Sequence, residues 1–429
     1  MSTANALGDL LSTLLLRRPF KRGGSKKGSI SKLCLSLLSE VTEVSGLQLA
    51  GVILEKYHEL DEKGRLDFFS FLNKDLDIDP DLLVSLAQKY QETQSPEIFK
   101  RLSEASEPRR KELFRRLNHA PGATADLVKM REQLLSLLRE NPSYARTDFD
   151  FIHLLRSWFN RGFLVLRQIT WDTSASILEK IVEYEAVHEI KNLEDLRRRL
   201  LPKDRRCFAF FHPSMPDDPL IFVEVALTNG VATSIQKVLS ESREEIDLQG
   251  ANSAIFYSIS NCQEGLSGIS FGNSLIKQVA QDLSREMPHL KTFVTLSPIP
   301  GLTKWIKDEG LEKLVEDQGM LKQITAHYLV EAKGKNRRPI DPVAKFHLGN
   351  GATIHQINID ADLSEKGLLQ SKGVMVNYLY DLSKISQNVE LFSKEGDISA
   401  NTTIKALSRQ AGRNIMQKGK AKETSQKSP

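Results

Sequence analysis

The sequence predicts an α+β protein, an N-terminal all-α helical bundle followed by a mixed-sheet domain. Three observations predict it. Apolar residues recur at helical spacing in the first third, as at Leu127, Met130, Leu134, Leu137 and Leu138, with Lys129, Arg131, Glu132 and Arg139 on the opposite face. Asn141-Pro142-Ser143 then breaks that period. Beyond the break, short apolar runs bounded by turn residues replace it, which is the pattern of strands. The expected division is a basic, disordered N-terminus over residues 1–29, a helical bundle over 30–143, the catalytic domain over 144–415 and a disordered basic tail over 416–429.

The elements follow in order. Asp79-Pro80-Asp81 ahead of Leu82-Leu83-Val84 is a turn and helix entry with early acidic residues. Segments of this kind between about Ile30 and Glu140 imply an antiparallel bundle. None of its residues forms a catalytic constellation, and self-association as a homo-oligomer, dimer or tetramer, is the role expected of it. Cys207–Phe211 and Leu220–Val225 read as strands paired in a hairpin through the turn-rich Pro213–Pro219. Ala254–Ser260 is a third strand and Thr292–Leu296 a fourth. The amphipathic helix Asn273–Glu286 lies between them, with Leu275, Val279 and Leu283 on one face. A last hairpin is expected from Val343–Leu348 and Thr353–Ile359, turning at Gly349-Asn350-Gly351.

Composition narrows the function classes. A chain of 429 residues exceeds one ordinary core, and 40% hydrophobic with 27% charged residues is globular. A net charge of +4 is too small to argue for nucleic acid. Cys34, Cys207 and Cys262 show neither metal-ligand spacing nor a paired framework, so no metal is expected and the compartment is a reducing one. No apolar run approaches the roughly 20 residues that span a bilayer, so no membrane partner is expected. Residues 1–29 carry six Lys/Arg against Asp9. The favoured reading is the basic N-terminus of a cytoplasmic, bacterial-type chain; the alternative is a mitochondrial transit peptide. The chain ends in Lys-Ser-Pro, without the peroxisomal address.

Three places could carry chemistry. In Thr295-Leu-Ser-Pro-Ile-Pro-Gly301, Pro298 and Pro300 stiffen the backbone around Ser297 where a strand ends and a helix begins. That is either a rigid corner or a catalytic hydroxyl at the carboxyl end of a strand. Residues 263–272 hold Gly265, Gly268 and Gly272 ahead of a helix, a backbone able to receive an anion, in a spacing that fits neither the dinucleotide nor the P-loop pattern. His347 has apolar neighbours on both sides, the ordinary setting of a structural histidine.

Several segments together, in order, carry a more specific signal. They are Ala254–Ser260, Gly265–Gly272, Ser297–Trp305, Phe346–Ala352 and Val376–Tyr380, preceded by Trp158-Phe159, Gly162-Phe163, Glu185–His188 and Val223–Thr228. Over residues 145–385 the chain resembles malonyl-CoA decarboxylase. The resemblance implies a carboxy-lyase converting malonyl-CoA to acetyl-CoA on an N-acetyltransferase-like fold, whose order of hairpin, strand, glycine loop, helix and strand is the one read above. It implies Ser297 and His347 as catalytic, with Tyr380 as donor to the developing enolate oxygen and Asn377 as a supporting group. CoA would lie on Gly265, Leu266, Ser267, Gly268, Gly272 and Asn273. No separate cofactor is expected, because the thioester is the electron sink and CoA is part of the substrate. Two departures stand out. Ser270 occupies a position where other members can carry a carboxylate, and the stretch between Trp305 and Pro342 is short. Competing readings are an acyl-CoA-dependent acyltransferase on the same fold and a non-catalytic acyl-CoA-binding scaffold.

Overall fold

This computed structural model describes residues 28–243, 246–269, 275–334 and 337–425, with side chains through residue 416. The chain divides into two compact units. The predicted N-terminal segment lies, but for Gly28 and Ser29, outside the described residues, as do residues 426–429.

The first unit comprises the described residues up to Leu164, together with residues 212–216 and 263–269. It is helical: Ile30–Ser39, Glu43–His58, Glu62–Lys74, Pro80–Thr93, Pro96–Ala105, Arg109–Leu117, Ala123–Leu137 and Ala145–Trp158. Local chemistry sets the starts. Asp79 accepts from the N–H groups of Asp81 and Leu82 with Pro80 in the first turn, and Asp61 and Ser95 cap the same way. Leu49, Ile53, Phe69, Leu72, Phe114, Leu134 and Phe151 are among its buried side chains. Asn141-Pro142-Ser143 does interrupt the helices, with a short 3₁₀ turn at Pro142–Tyr144. The helical unit nevertheless resumes at Ala145 and runs on to Leu164.

The second unit holds a mixed sheet of eight strands among the described residues: β1 Val165–Ile169, β2 Arg205–Phe211, β3 Ile221–Thr228, β4 Ser253–Asn261, β5 Thr292–Thr295, β6 Ser297–Pro298, β7 Thr353–Asn358 and β8 Met375–Leu379. Their order is β1-β2-β3-β4-β5-β8-β6, with β7 also on β8. The β2–β3 hairpin and the strands β4 and β5 stand where the sequence predicts them. The helix between β4 and β5 is described from Leu275 to Glu286. β4 and β5 pair in parallel only from Ser253–Thr292 to Phe256–Thr295, and β4 then continues to Asn261.

Two expectations are corrected. Val343–Leu348 is not a hairpin arm but part of a helix, Pro342–Gly349, and the partner of β7 is β8. Asp341 accepts from Val343 N and Ala344 N, Pro342 fills the first turn, and Ala344, His347 and Leu348 are buried at helical spacing. The predicted tail over 416–429 is also helical as far as it is described, since Thr402–Ser425 is one helix. Its Ala, Lys, Gln and Arg residues are good helix formers with no proline before the end.

Candidate active site

The backbone at Ser297 is held from both sides. Leu296 N donates to Phe256 O at 2.9 Å, and Ser297 pairs with Val376 of β8. The hydroxyl therefore projects from a strand end whose φ angles are further limited by Pro298 and Pro300. Ser297 Oγ donates to Thr295 Oγ1 at 2.8 Å and stands 3.1 Å from His347 Nε2. Thr295 Oγ1 also accepts from Tyr378 N at 3.2 Å.

His347 sits in the last turn of the Pro342–Gly349 helix. Asp341 joins that helix to the serine segment, because its Oδ1 caps the helix while its Oδ2 accepts from Gly301 N and Tyr328 OH, each at 3.4 Å. The imidazole is buried, with Tyr380 OH 2.8 Å from Nδ1 and the Tyr378 ring stacked on it at 4.5 Å between centroids and 24° between planes. Burial pushes the His347 pKa down to about 3, so the ring is neutral at ordinary pH. Burial also holds Tyr380 well above the usual tyrosine value, an effect opposed in part by the Asn350 side chain. A phenol that keeps its proton is able to donate it to Nδ1. With that donation the imidazole proton stands on Nε2, facing Ser297. The result is one row of neutral groups, Tyr380, His347, Ser297 and Thr295, linked so that a proton can pass along it.

The structure thus brings Ser297, His347 and Tyr380 together. Asn377 is placed differently. Its Nδ2 donates to Thr295 O at 2.7 Å and Ala232 O at 3.1 Å, and its Oδ1 accepts from Asn358 at 2.7 Å, so it fixes the backbone under Thr295 from outside the row. Sequence reasoning missed Thr295 and the stacking of Tyr378. Thr295 stands two residues from Ser297 in an extended segment, the spacing that puts side chains on one face, and that signal was available.

In the helical unit, Glu264–Leu266 is a 3₁₀ turn, and a Cβ on Gly265 would fall 1.9 Å from Val128 O. Close packing on the Ala123–Leu137 helix therefore requires that glycine. Arg131 donates to Gly265 O and Ser267 O at 2.7 and 2.8 Å while pairing with Asp148. The N–H groups of Leu266 and Ser267 close turns on Gln263 and Glu264. Gly268 has φ +76°, with open space where a Cβ would point. Ser270, Gly272 and Asn273 lie outside the described residues. Among the described residues no group of His, Cys, Asp and Glu could hold a metal ion, and no helix is long and apolar enough to cross a membrane.

Comparison with known proteins places this geometry in a family. The family model for the malonyl-CoA decarboxylase C-terminal domain matches residues 162–317 and 313–418, and that for the N-terminal domain matches residues 77–159. The mitochondrial malonyl-CoA decarboxylase of Rattus norvegicus is 36% identical over 358 residues, 72% of each chain. The crystal structure of malonyl-CoA decarboxylase from Rhodopseudomonas palustris is similar at 46% identity and a TM-score of 0.83, covering 87% of this chain and 98% of that one. The Agrobacterium vitis enzyme is similar at 45% identity and a TM-score of 0.84, covering 89% and 100%. On these matches, spanning both units, the chain belongs to the malonyl-CoA decarboxylase family.

Proposed function

We propose that the chain converts malonyl-CoA and a proton to acetyl-CoA and carbon dioxide at the row formed by Ser297, His347 and Tyr380. Family membership supports the reaction. The observation that carries the residue assignment is the 3.1 Å approach of Ser297 Oγ to His347 Nε2, with Tyr380 OH on the other ring nitrogen.

The bond between the methylene carbon and the carboxylate breaks, carbon dioxide leaves, and its electron pair enters the thioester as an enolate. The methylene carbon then takes a proton from the Ser297–His347 end of the row, and solvent restores that proton. Buried, neutral surroundings solvate a carboxylate poorly and so favour its loss. As Ser297 gives that proton, the Nε2 proton of His347 moves to Ser297 and the Tyr380 proton moves to Nδ1, so the charge the enolate carried rests on the row until solvent returns a proton. The thioester supplies the electron sink without a separate cofactor.

The CoA half is assigned to Gly265, Leu266, Ser267 and Gly268 with Gly272 and Asn273, ahead of the Leu275–Glu286 helix. A homo-oligomer built through the helical unit is also proposed, on its exposed apolar residues Val41, Val44 and Phe99. The proposed location is the cytoplasm. The rat relative's name records it as mitochondrial, which suits the transit-peptide alternative.

The deciding experiment incubates purified protein with malonyl-CoA alone and follows acetyl-CoA by chromatography. Repeated turnover is expected. Product formed only with an added acceptor would favour the acyltransferase reading, and binding without product a non-catalytic role.

A further inference from the structure

Three donors of the row are committed. Tyr380 O–H serves His347 Nδ1, the imidazole N–H faces Ser297, and Ser297 O–H serves Thr295. Enolate formation needs a further donor at the thioester oxygen, where charge develops. The Asn350 amide is free to supply it.

Asn350 directly follows the helix that carries His347, and its backbone N–H donates to His347 O at 3.1 Å. The turn around it is rigid. Gly351 has φ +82°, and a Cβ there would fall 2.5 Å from Ile385 O, while Asn388 Nδ2 holds Gly351 O at 2.9 Å. The Asn350 residue is only 4% exposed. Even so, neither its Nδ2 nor its Oδ1 reaches a hydrogen-bond partner of ordinary geometry, although the side chain is near enough to Tyr380 to act on its phenol. A buried amide without partners costs stability, about 1–3 kcal/mol for each unsatisfied group. Folding alone gives no reason to keep one beside the reacting row.

Tyr378 OH is likewise buried and unpartnered. Its ring lies stacked on the His347 imidazole, so Tyr378→Phe, which keeps the ring and removes the hydroxyl, is the variant that separates the two candidates.

We infer that Asn350 Nδ2–H is the hydrogen-bond donor to the thioester oxygen of the substrate as it becomes an enolate. This inference rests on the decarboxylase reading, and the test separates the two. Enzyme-catalysed exchange of the acetyl-CoA methyl hydrogens with deuterated water forms the same enolate without a carboxylate. Decarboxylation, this exchange, acetyl-CoA binding and the melting temperature are measured for the unaltered protein, Asn350→Ala, the near-isosteric Asn350→Asp and Tyr378→Phe. Both Asn350 variants are expected to lose decarboxylation and exchange together, by about a hundred- to a thousandfold, with acetyl-CoA binding kept. The Asn350→Ala melting temperature should be no lower than that of the unaltered protein, and Tyr378→Phe should keep both rates. Exchange kept while decarboxylation falls would move the amide to the carboxylate and overturn the inference. So would unchanged rates, the loss appearing in Tyr378→Phe alone, or both Asn350 variants failing to fold. Exchange without decarboxylation by the unaltered protein would instead sink the decarboxylase reading and leave the amide assignment standing.

Discussion

The helical unit and the surroundings of His347 treat buried polarity in opposite ways, although the second unit buries ion pairs elsewhere, as at Arg199–Glu224. In the helical unit it is charged and paired: Arg110 lies between Asp77 at 2.9 Å and Asp150 at 2.6 Å, and Arg131 pairs with Asp148 while holding two carbonyls of the 263–268 loop. Around His347 it is neutral, and at Asn350 and Tyr378 it is unpaired. Paired ions fix helices in register but have nothing left to offer a ligand. Neutral groups arranged in a row, with an unpaired amide beside them, contribute less to holding a fold and can meet a substrate.

Substitutions in each region should therefore fail in different ways. The largest loss of activity is expected from His347→Asn, about a hundred- to ten-thousandfold in turnover with acetyl-CoA binding retained. Near-native turnover in that variant would make the histidine structural. Ser297→Ala should cost about a hundred- to a thousandfold, again with acetyl-CoA binding intact. Undiminished turnover would return the proline-flanked segment to a rigid corner.

Arg110→Ala should do the reverse. It leaves Asp77 and Asp150 without their buried cation and should lower unfolding free energy by about 3–5 kcal/mol, read as a shift in denaturant midpoint. Turnover per folded molecule should not change, and a specific loss of turnover would erase the contrast between the two regions. A further effect concerns pH. His347 is depressed in the folded state, so it contributes stability that is complete above about 6.5 and is lost as pH falls toward about 3. Melting temperatures followed from pH 7 downward should fall less steeply in His347→Asn than in the unaltered protein. Equal slopes would mean that the buried ring does not resist protonation. Light scattering on the whole chain should give a dimer or a tetramer, and a monomer would remove the proposed role of the helical unit.

Much of this was legible in the sequence where the cause is local. Two prolines around Ser297, alternation in β2 to β5 and acidic caps with proline in the first turn each act within a few residues. The element carrying His347 was misread although its cause is local too, because Gly349-Asn350-Gly351 suggested a hairpin more strongly than Asp341-Pro342 suggested a helix. The paired residues of β6 are too few for any periodicity to show. The attachment of residues 263–268 to Arg131, and the unpaired state of Asn350, depend on neighbours distant in sequence. No composition or spacing could have revealed them.

The central claim is that His347 works as a neutral ring with its proton on Nε2. Histidine ¹⁵N NMR of the intact protein, with the His347 signals identified by their loss in His347→Asn, tests it most directly. The account predicts a neutral Nε2–H form that persists unchanged from pH 8 to pH 5. Protonation with a midpoint near pH 6.5, or a neutral form carrying its proton on Nδ1, would contradict it.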